Sequence, residues 1–243
     1  MAKIPDKPQD IFIPLIEDYR KAFGNDLVSL IIYGSAAAGY YLKGKSDINL
    51  LVVLTPEGAS RLEDAFETVR RWRRRNVAVP WVMTKHFIES SRDVYPIEFL
   101  NLKCNHIVLY GEDVLRSLDF KPEDLRLQIE RELKGKLILL REGYLENRGK
   151  AKPSGQLIAR SITAFIAIFK ALVYLKQPSV PADGRETIKA LSRYFDFDAN
   201  IFLKCLDIKE GKDELPPKDV TVFFRQYLKA VEKFCDLVDA ISR

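Results

Sequence analysis

Leu30-Ile31-Ile32-Tyr33-Gly34-Ser35 ends an apolar run in glycine and serine, and Asp47-Ile48-Asn49-Leu50-Leu51-Val52-Val53 opens the next apolar run on an acid. Residues 27–33 and 48–54 are short, rich in branched side chains and apolar almost throughout, the pattern of buried strands. A strand that ends in Gly-Ser brings bare backbone to its tip, because glycine has no Cβ to hold a phosphate away. The serine hydroxyl and the neighbouring amides then offer donors to phosphate oxygens. On the following strand, residues two apart point to the same face. Asp47 and Asn49 therefore aim at one spot, where two magnesium ions could bridge a triphosphate.

Outward from this pair, residues 10–115 alternate helix and strand signals. Helical spacing marks 10–23 and 59–75, residues 78–83 and 97–102 read as further strands, and the short run 107–110 closes the domain at Gly111. Beyond it the texture changes. Lys121-Pro122-Glu123-Asp124 reads as a helix start, with acid at the positive end of the dipole. Leu125, Ile129, Leu133, Leu137, Leu140 and Tyr144 then form one apolar stripe, and 157–175 is apolar nearly all round, as expected of the central helix of a bundle. Asn147 to Ser154 is a polar turn, Pro178 and Pro181 end the central helix, and further helices are expected at 186–194, 199–206 and 219–241. The expected organisation is a sheet domain over 1–118 and a helical bundle over 119–243.

Composition excludes several classes. With 47% hydrophobic and 30% charged residues, the chain has the apolar material for a core, so disorder is not expected. A net charge of +5, from 39 basic and 34 acidic residues, suits an anionic ligand such as a nucleotide without demanding nucleic acid. The three cysteines, Cys104, Cys205 and Cys235, are far apart, which argues against a disulfide framework and a zinc site and for a reducing, cytoplasmic compartment. The first residues carry no apolar signal core, and Arg160 and Lys170 interrupt the most apolar helix, so no membrane partner is expected.

Tyr33-Gly34-Ser35-Ala36 through Ser46-Asp47-Ile48-Asn49-Leu50-Leu51-Val52 resembles the signature of the polymerase-beta-like nucleotidyltransferase superfamily, a Gly-Ser followed by Asp-x-Asp. The similarity is strongest to small bacterial enzymes such as the aminoglycoside nucleotidyltransferases. It implies an α+β fold: a mixed sheet with flanking helices, followed by an all-α bundle. It also implies transfer of a nucleoside monophosphate from an NTP to a hydroxyl acceptor, which could be a small molecule, a protein or RNA, and it permits a homodimer. Gly34, Ser35, Lys45 and Ser46 would bind the nucleotide, and a two-ion Mg2+ site would use Asp47, Asn49 and a third carboxylate on a later strand. Glu98, at the start of the run 97–102, is the candidate for that position, with Asp93 a weaker competitor. Asp47 and Glu98 would be catalytic. A general base would be Glu98 or a carboxylate of the helical half such as Glu142. The departure from the pattern is Asn49: an amide oxygen can ligate magnesium but brings no charge, so weaker metal binding is expected. The alternative is a catalytically impaired protein of this fold that acts by binding a nucleotide or a regulatory partner.

Three weaker signals compete. Gly39-Tyr40-Tyr41-Leu42-Lys43-Gly44-Lys45-Ser46 matches the P-loop pattern in letters, but a strand rather than a helix is expected after it. Arg70-Arg71-Trp72-Arg73-Arg74-Arg75 could meet nucleic acid phosphates, although a solvated helix end explains it better. His86 and His106 lack the spacing and partners of a metal site.

Overall fold

The computed structural model describes residues 4–44 and 46–241. The chain forms two compact units, Met1–Asp93 with Phe99–Asp119, and Val94–Glu98 with Phe120–Arg243.

The first unit is built on a four-stranded mixed sheet in the order β3-β2-β1-β4. The strands are β1 (Leu27–Tyr33), β2 (Asn49–Leu54), β3 (Trp81–Thr84) and β4 (His106–Gly111). β1 pairs antiparallel with β2 and β4, and β2 pairs parallel with β3. Leu30, Ile31, Ile32, Leu50, Leu51, Val52 and Val53 are wholly buried. Both faces of the two central strands are covered, which is why their sequence is a continuous apolar run and not an alternation.

A parallel step needs a crossover, and residues 55–80 supply it with α2 (Pro56–Ala59) and α3 (Phe66–Arg73). One face of the sheet packs Leu30, Ile32, Leu50, Val52 and Leu54 against Leu15, Tyr19 and Phe23 of α1 (Phe12–Phe23) and against Trp72 of α3. The Trp72 indole N–H donates to Asp18 Oδ2 at 2.8 Å, so the buried ring keeps its polar end satisfied.

Two helices follow β3: α4 (Lys85–Ser90) and α5 (Pro96–Cys104). α5 corrects the expected strand at 97–102. Its apolar residues fit neither period cleanly, and Pro96 at the first position, followed by Glu, Leu, Asn and Lys with little β-branching, tips the segment to helix. The expected helix over 59–75 divides into the end of α2, a 3-10 turn at Leu62–Ala65 and the shorter α3.

The second unit contains α6 (Pro122–Asn147), α7 (Ala151–Tyr174), α8 (Gly184–Leu191), α9 (Ala199–Glu210) and α10 (Val220–Ala240). The α6 stripe from Leu125 to Leu140 is buried, and Arg148 ends the helix in the left-handed region, at φ +51°. α7 is long and apolar enough to cross a membrane by length and composition, yet 56% of its most apolar stretch is buried. It packs against α6, α8, α9 and α10, with the Phe169 ring 4.8 Å from Phe234 and 5.0 Å from Phe202. Lys170 is buried, and its ammonium donates to the Ala182 carbonyl at 2.8 Å, whereas Arg160 is exposed. Arg185 forks between Asp207 and Glu210 at 2.6 and 2.7 Å, joining α8 to α9.

Candidate nucleotide site

The tip of β1 decides the geometry. Tyr33 stands opposite Asn49 on one side and opposite His106 on the other. Gly34 follows at φ +75°, a left-handed conformation that costs about 1–2 kcal/mol in a residue with a Cβ. Its carbonyl accepts from the N–H groups of Ala37 and Ala38 at 3.1 and 2.9 Å, closing a 3-10 turn over Gly34–Ala36. A Cβ on Gly34 would lie 3.3 Å from the side-chain nitrogen of Asn49. Bare backbone and the Asn49 amide therefore face each other directly, across the first residue pair of β1 and β2.

Gly34 permits this approach but does not itself donate. Its N–H is taken by the Asn105 carbonyl at 3.0 Å. Ser35 is half-buried, and its hydroxyl makes no hydrogen bond among the described residues, so it is the side-chain donor at this corner.

The loop from Tyr40 to Asp47 is tied at several points. Ser46 donates its N–H to the Leu42 carbonyl at 2.8 Å, and its hydroxyl accepts from the Leu42 N–H at 3.1 Å. Asn76 donates its side-chain N–H to the Ser46 carbonyl at 2.8 Å. Ser46 thus closes its own turn. Lys45 lies outside the described residues. No helix opens at Ser46, and the chain passes directly into β2, so the P-loop pattern has none of the P-loop's architecture.

Ile48 is fully buried and bridges to Val77. Asp47 is exposed and Asn49 half-buried, so the two flank Ile48 on the opposite face, as the strand period requires. The charge of Asp47 is felt at Tyr41: burial pushes that phenol up, Lys43 pulls it down, and Asp6 and Asp47 push it up again. The Tyr41 hydroxyl donates to the Pro5 carbonyl at 3.2 Å, which anchors the loop to the segment ahead of α1.

Glu98 is on helix α5 and not on a strand. Its carboxylate Oε2 accepts from Nε2 of Gln128 at 2.6 Å, while Oε1 of Gln128 accepts the Ile97 N–H at 2.8 Å. Gln128 is only 4% exposed, with both ends of its amide used. Sequence reasoning passed over this residue; its signal was position, since 128 lies three after Leu125 on the buried stripe of α6. Glu142 is exposed on the same helix.

His106 holds its ring between the Lys103 carbonyl, 3.0 Å from Nδ1, and Asp113 Oδ1, 3.1 Å from Nε2. His86 is exposed. The arginine cluster is a helix end: Trp72 is buried, Arg71 pairs with Asp18, and Arg70 pairs with Glu67.

Among the described residues, no group of three or more His, Cys, Asp or Glu side chains gathers at a metal-holding spacing. One carboxylate and one amide oxygen, from Asp47 and Asn49, match a magnesium ion that keeps water and takes its remaining ligands from phosphate. They do not make a protein cage for a pair of ions.

No family model and no curated protein matches the sequence. Solved structures do. The chain is similar to a spectinomycin adenyltransferase, AAD(9), from Enterococcus faecialis, solved with ATP and spectinomycin. The likeness has a TM-score of 0.53 at 14% identity and covers 91% of this chain and 98% of that one. At that identity the likeness is one of fold, and the protein has the α+β fold of that nucleotidyltransferase: a mixed sheet with flanking helices and a helical C-terminal part.

Proposed function

We propose that the protein transfers a nucleoside monophosphate from a nucleoside triphosphate to a hydroxyl acceptor. The observation that carries this reading is the bare backbone of Gly34 facing the Asn49 amide, where an added Cβ would come within 3.3 Å of its nitrogen, beside Asp47 and Ser35. A triphosphate that arrives with its cation can use such a corner, the open backbone for its oxygens and the carboxylate and amide for the ion. The similarity to an adenyltransferase solved with ATP supports the same reading.

In this scheme the Ser35 hydroxyl donates to phosphate oxygens, and the missing Cβ of Gly34 lets them come close. Asp47 and Asn49 would hold magnesium, which supplies charge neutralisation to the phosphates when bound. The acceptor oxygen bonds to the α-phosphorus, the bond from that phosphorus to the bridging oxygen breaks, and pyrophosphate leaves with the electron pair. Most of the rate in such a transfer comes from positioning and from charge placed ahead of the reaction.

A second reading is favoured by Asn49 alone: a site with one carboxylate at this corner holds a nucleotide without turning it over. One experiment serves both. ATP, GTP, CTP and UTP are titrated by calorimetry with and without magnesium, on the wild type, Asp47→Ala and Asn49→Asp. Magnesium-dependent binding that weakens at least about tenfold in Asp47→Ala supports the site. Pyrophosphate release across a panel of hydroxyl acceptors then separates turnover from binding alone. Failure of every nucleotide to bind sinks both readings.

A further inference from the structure

We propose that Tyr33 and Trp81 form the stacking surface for the base of the bound nucleotide, and that they make the site prefer purine triphosphates. The proposal rests on the nucleotidyltransferase reading above and adds to it the class of base.

The sheet register brings the two rings together. Tyr33 stands opposite Asn49 on β2. Leu51 shares the face of Asn49, and its parallel partner on β3 is Trp81. Tyr33, Asn49 and Trp81 therefore share one face of the sheet, the face to which Asp47 also points. The two ring centroids are 5.9 Å apart, with planes tilted at 47°. The pair sits directly beside the corner formed by Gly34 and Asn49.

Exposure separates Trp81 from the other tryptophan. The only other tryptophan, Trp72, is 2% exposed and bonded to Asp18, whereas Trp81 is 40% exposed although it lies in a strand. Tyr33 is half-buried, and burial pushes its phenol up to about 12, so the ring stays neutral at physiological pH. The Trp81 indole, left open beside the phosphate corner, offers a flat, apolar face to a flat ligand, and the tilted Tyr33 ring borders it. From β1 to β3 is two strand spacings, roughly 10 Å, which suits a ligand with phosphates at one end and a ring at the other. Every base has a π-face, so stacking is tolerant of sequence, but the larger purine covers more of the indole and reaches the bordering Tyr33 ring.

The test uses the full chain and its own tryptophans. Emission is followed while ATP, GTP, CTP, UTP and inorganic tripolyphosphate are added, all with magnesium, to the wild type, Trp81→Ala and Trp81→Phe. We expect purine triphosphates to quench Trp81 and to bind more tightly than pyrimidine triphosphates. Tripolyphosphate, followed by calorimetry, should bind without quenching. Trp81→Ala should lose roughly ten- to a hundredfold in ATP affinity and keep its tripolyphosphate affinity, and Trp81→Phe should recover part of the loss. Equal ATP affinity in the wild type and Trp81→Ala overturns the platform while leaving the phosphate corner standing. So does quenching by tripolyphosphate equal to that by ATP. If neither ATP nor tripolyphosphate binds the wild type, the nucleotidyltransferase reading falls and takes the platform with it.

Discussion

Replacing Gly34 with alanine asks two things of the fold. The backbone must hold φ near +75° with a Cβ attached, a strain of about 1–2 kcal/mol. Alanine also stiffens the unfolded chain, which returns about 0.4–1 kcal/mol. The net destabilisation is therefore small, about 1 kcal/mol, or a melting midpoint lower by roughly 2–4 °C for a chain of this size. The second demand is local. The new methyl sits 3.3 Å from the Asn49 amide, closer than side chains normally settle, so Asn49 must give by a few tenths of an ångström. Gly39 is the control, because its φ is +82° but a Cβ there meets nothing within 4 Å. Thermal melts followed by circular dichroism should show the two variants losing similar stability. Nucleotide titration should separate them, with Gly34→Ala weaker by about tenfold or more, since a displaced ligand loses a charge-assisted contact, and Gly39→Ala close to wild type. Wild-type affinity in Gly34→Ala, or an equal loss in both variants, would refute the role given to this corner.

Two further outcomes follow from the helical unit. Gln128→Leu removes the 2.8 Å bond from the buried Ile97 N–H to Oε1 of Gln128 and takes a donor from the Glu98 carboxylate. It should lower stability by about 2–3 kcal/mol in urea denaturation, and a loss below about 0.5 kcal/mol would show that water replaces the amide without penalty. Glu210 is raised by burial, but the hydrogen bonds from Lys212 and Arg185 outweigh this and leave its carboxyl below the ordinary glutamate range. A carboxylate depressed in the native state adds stability at neutral pH, which drains away as the pH falls below the ordinary range and through the native value. The acid limb of a stability profile should therefore be shallower in Glu210→Gln, and an unchanged limb would show that Asp207 alone satisfies Arg185.

Much of the sheet was legible because its central strands are covered on both faces. Unbroken apolar runs at 27–33 and 48–54 leave little room for another element, and the Gly-Ser and Asp-x-Asn ends mark where they turn. The bundle was legible through the α6 stripe and the all-round apolar α7. The segment 97–102 was not, because apolar residues at 97, 99, 100 and 102 suit either period, and a proline ahead of them decides for helix. Glu98 moved with that segment. Pairings set by register were also beyond the sequence: nothing in residues 33 and 81 says that they meet until β2 is placed between them. Gln128 looked like any polar residue on an amphipathic helix until its partners on α5 were in place.

Residues 94–98 belong with the helical unit although the chain on either side of them belongs with the sheet. The polypeptide therefore changes allegiance three times, after 93, after 98 and after 119. Modularity in such a protein is not a matter of one hinge point. A fragment that stops near 119 keeps Ile97 and Glu98 but leaves behind the glutamine they bond to, and the remaining helical fragment is missing the turn that its own Gln128 caps. Recombination at the apparent border would sever that exchange in both products. The helical part is thus inherited as a discontinuous unit, and an exchange of that part between relatives preserves it only if both pieces travel together.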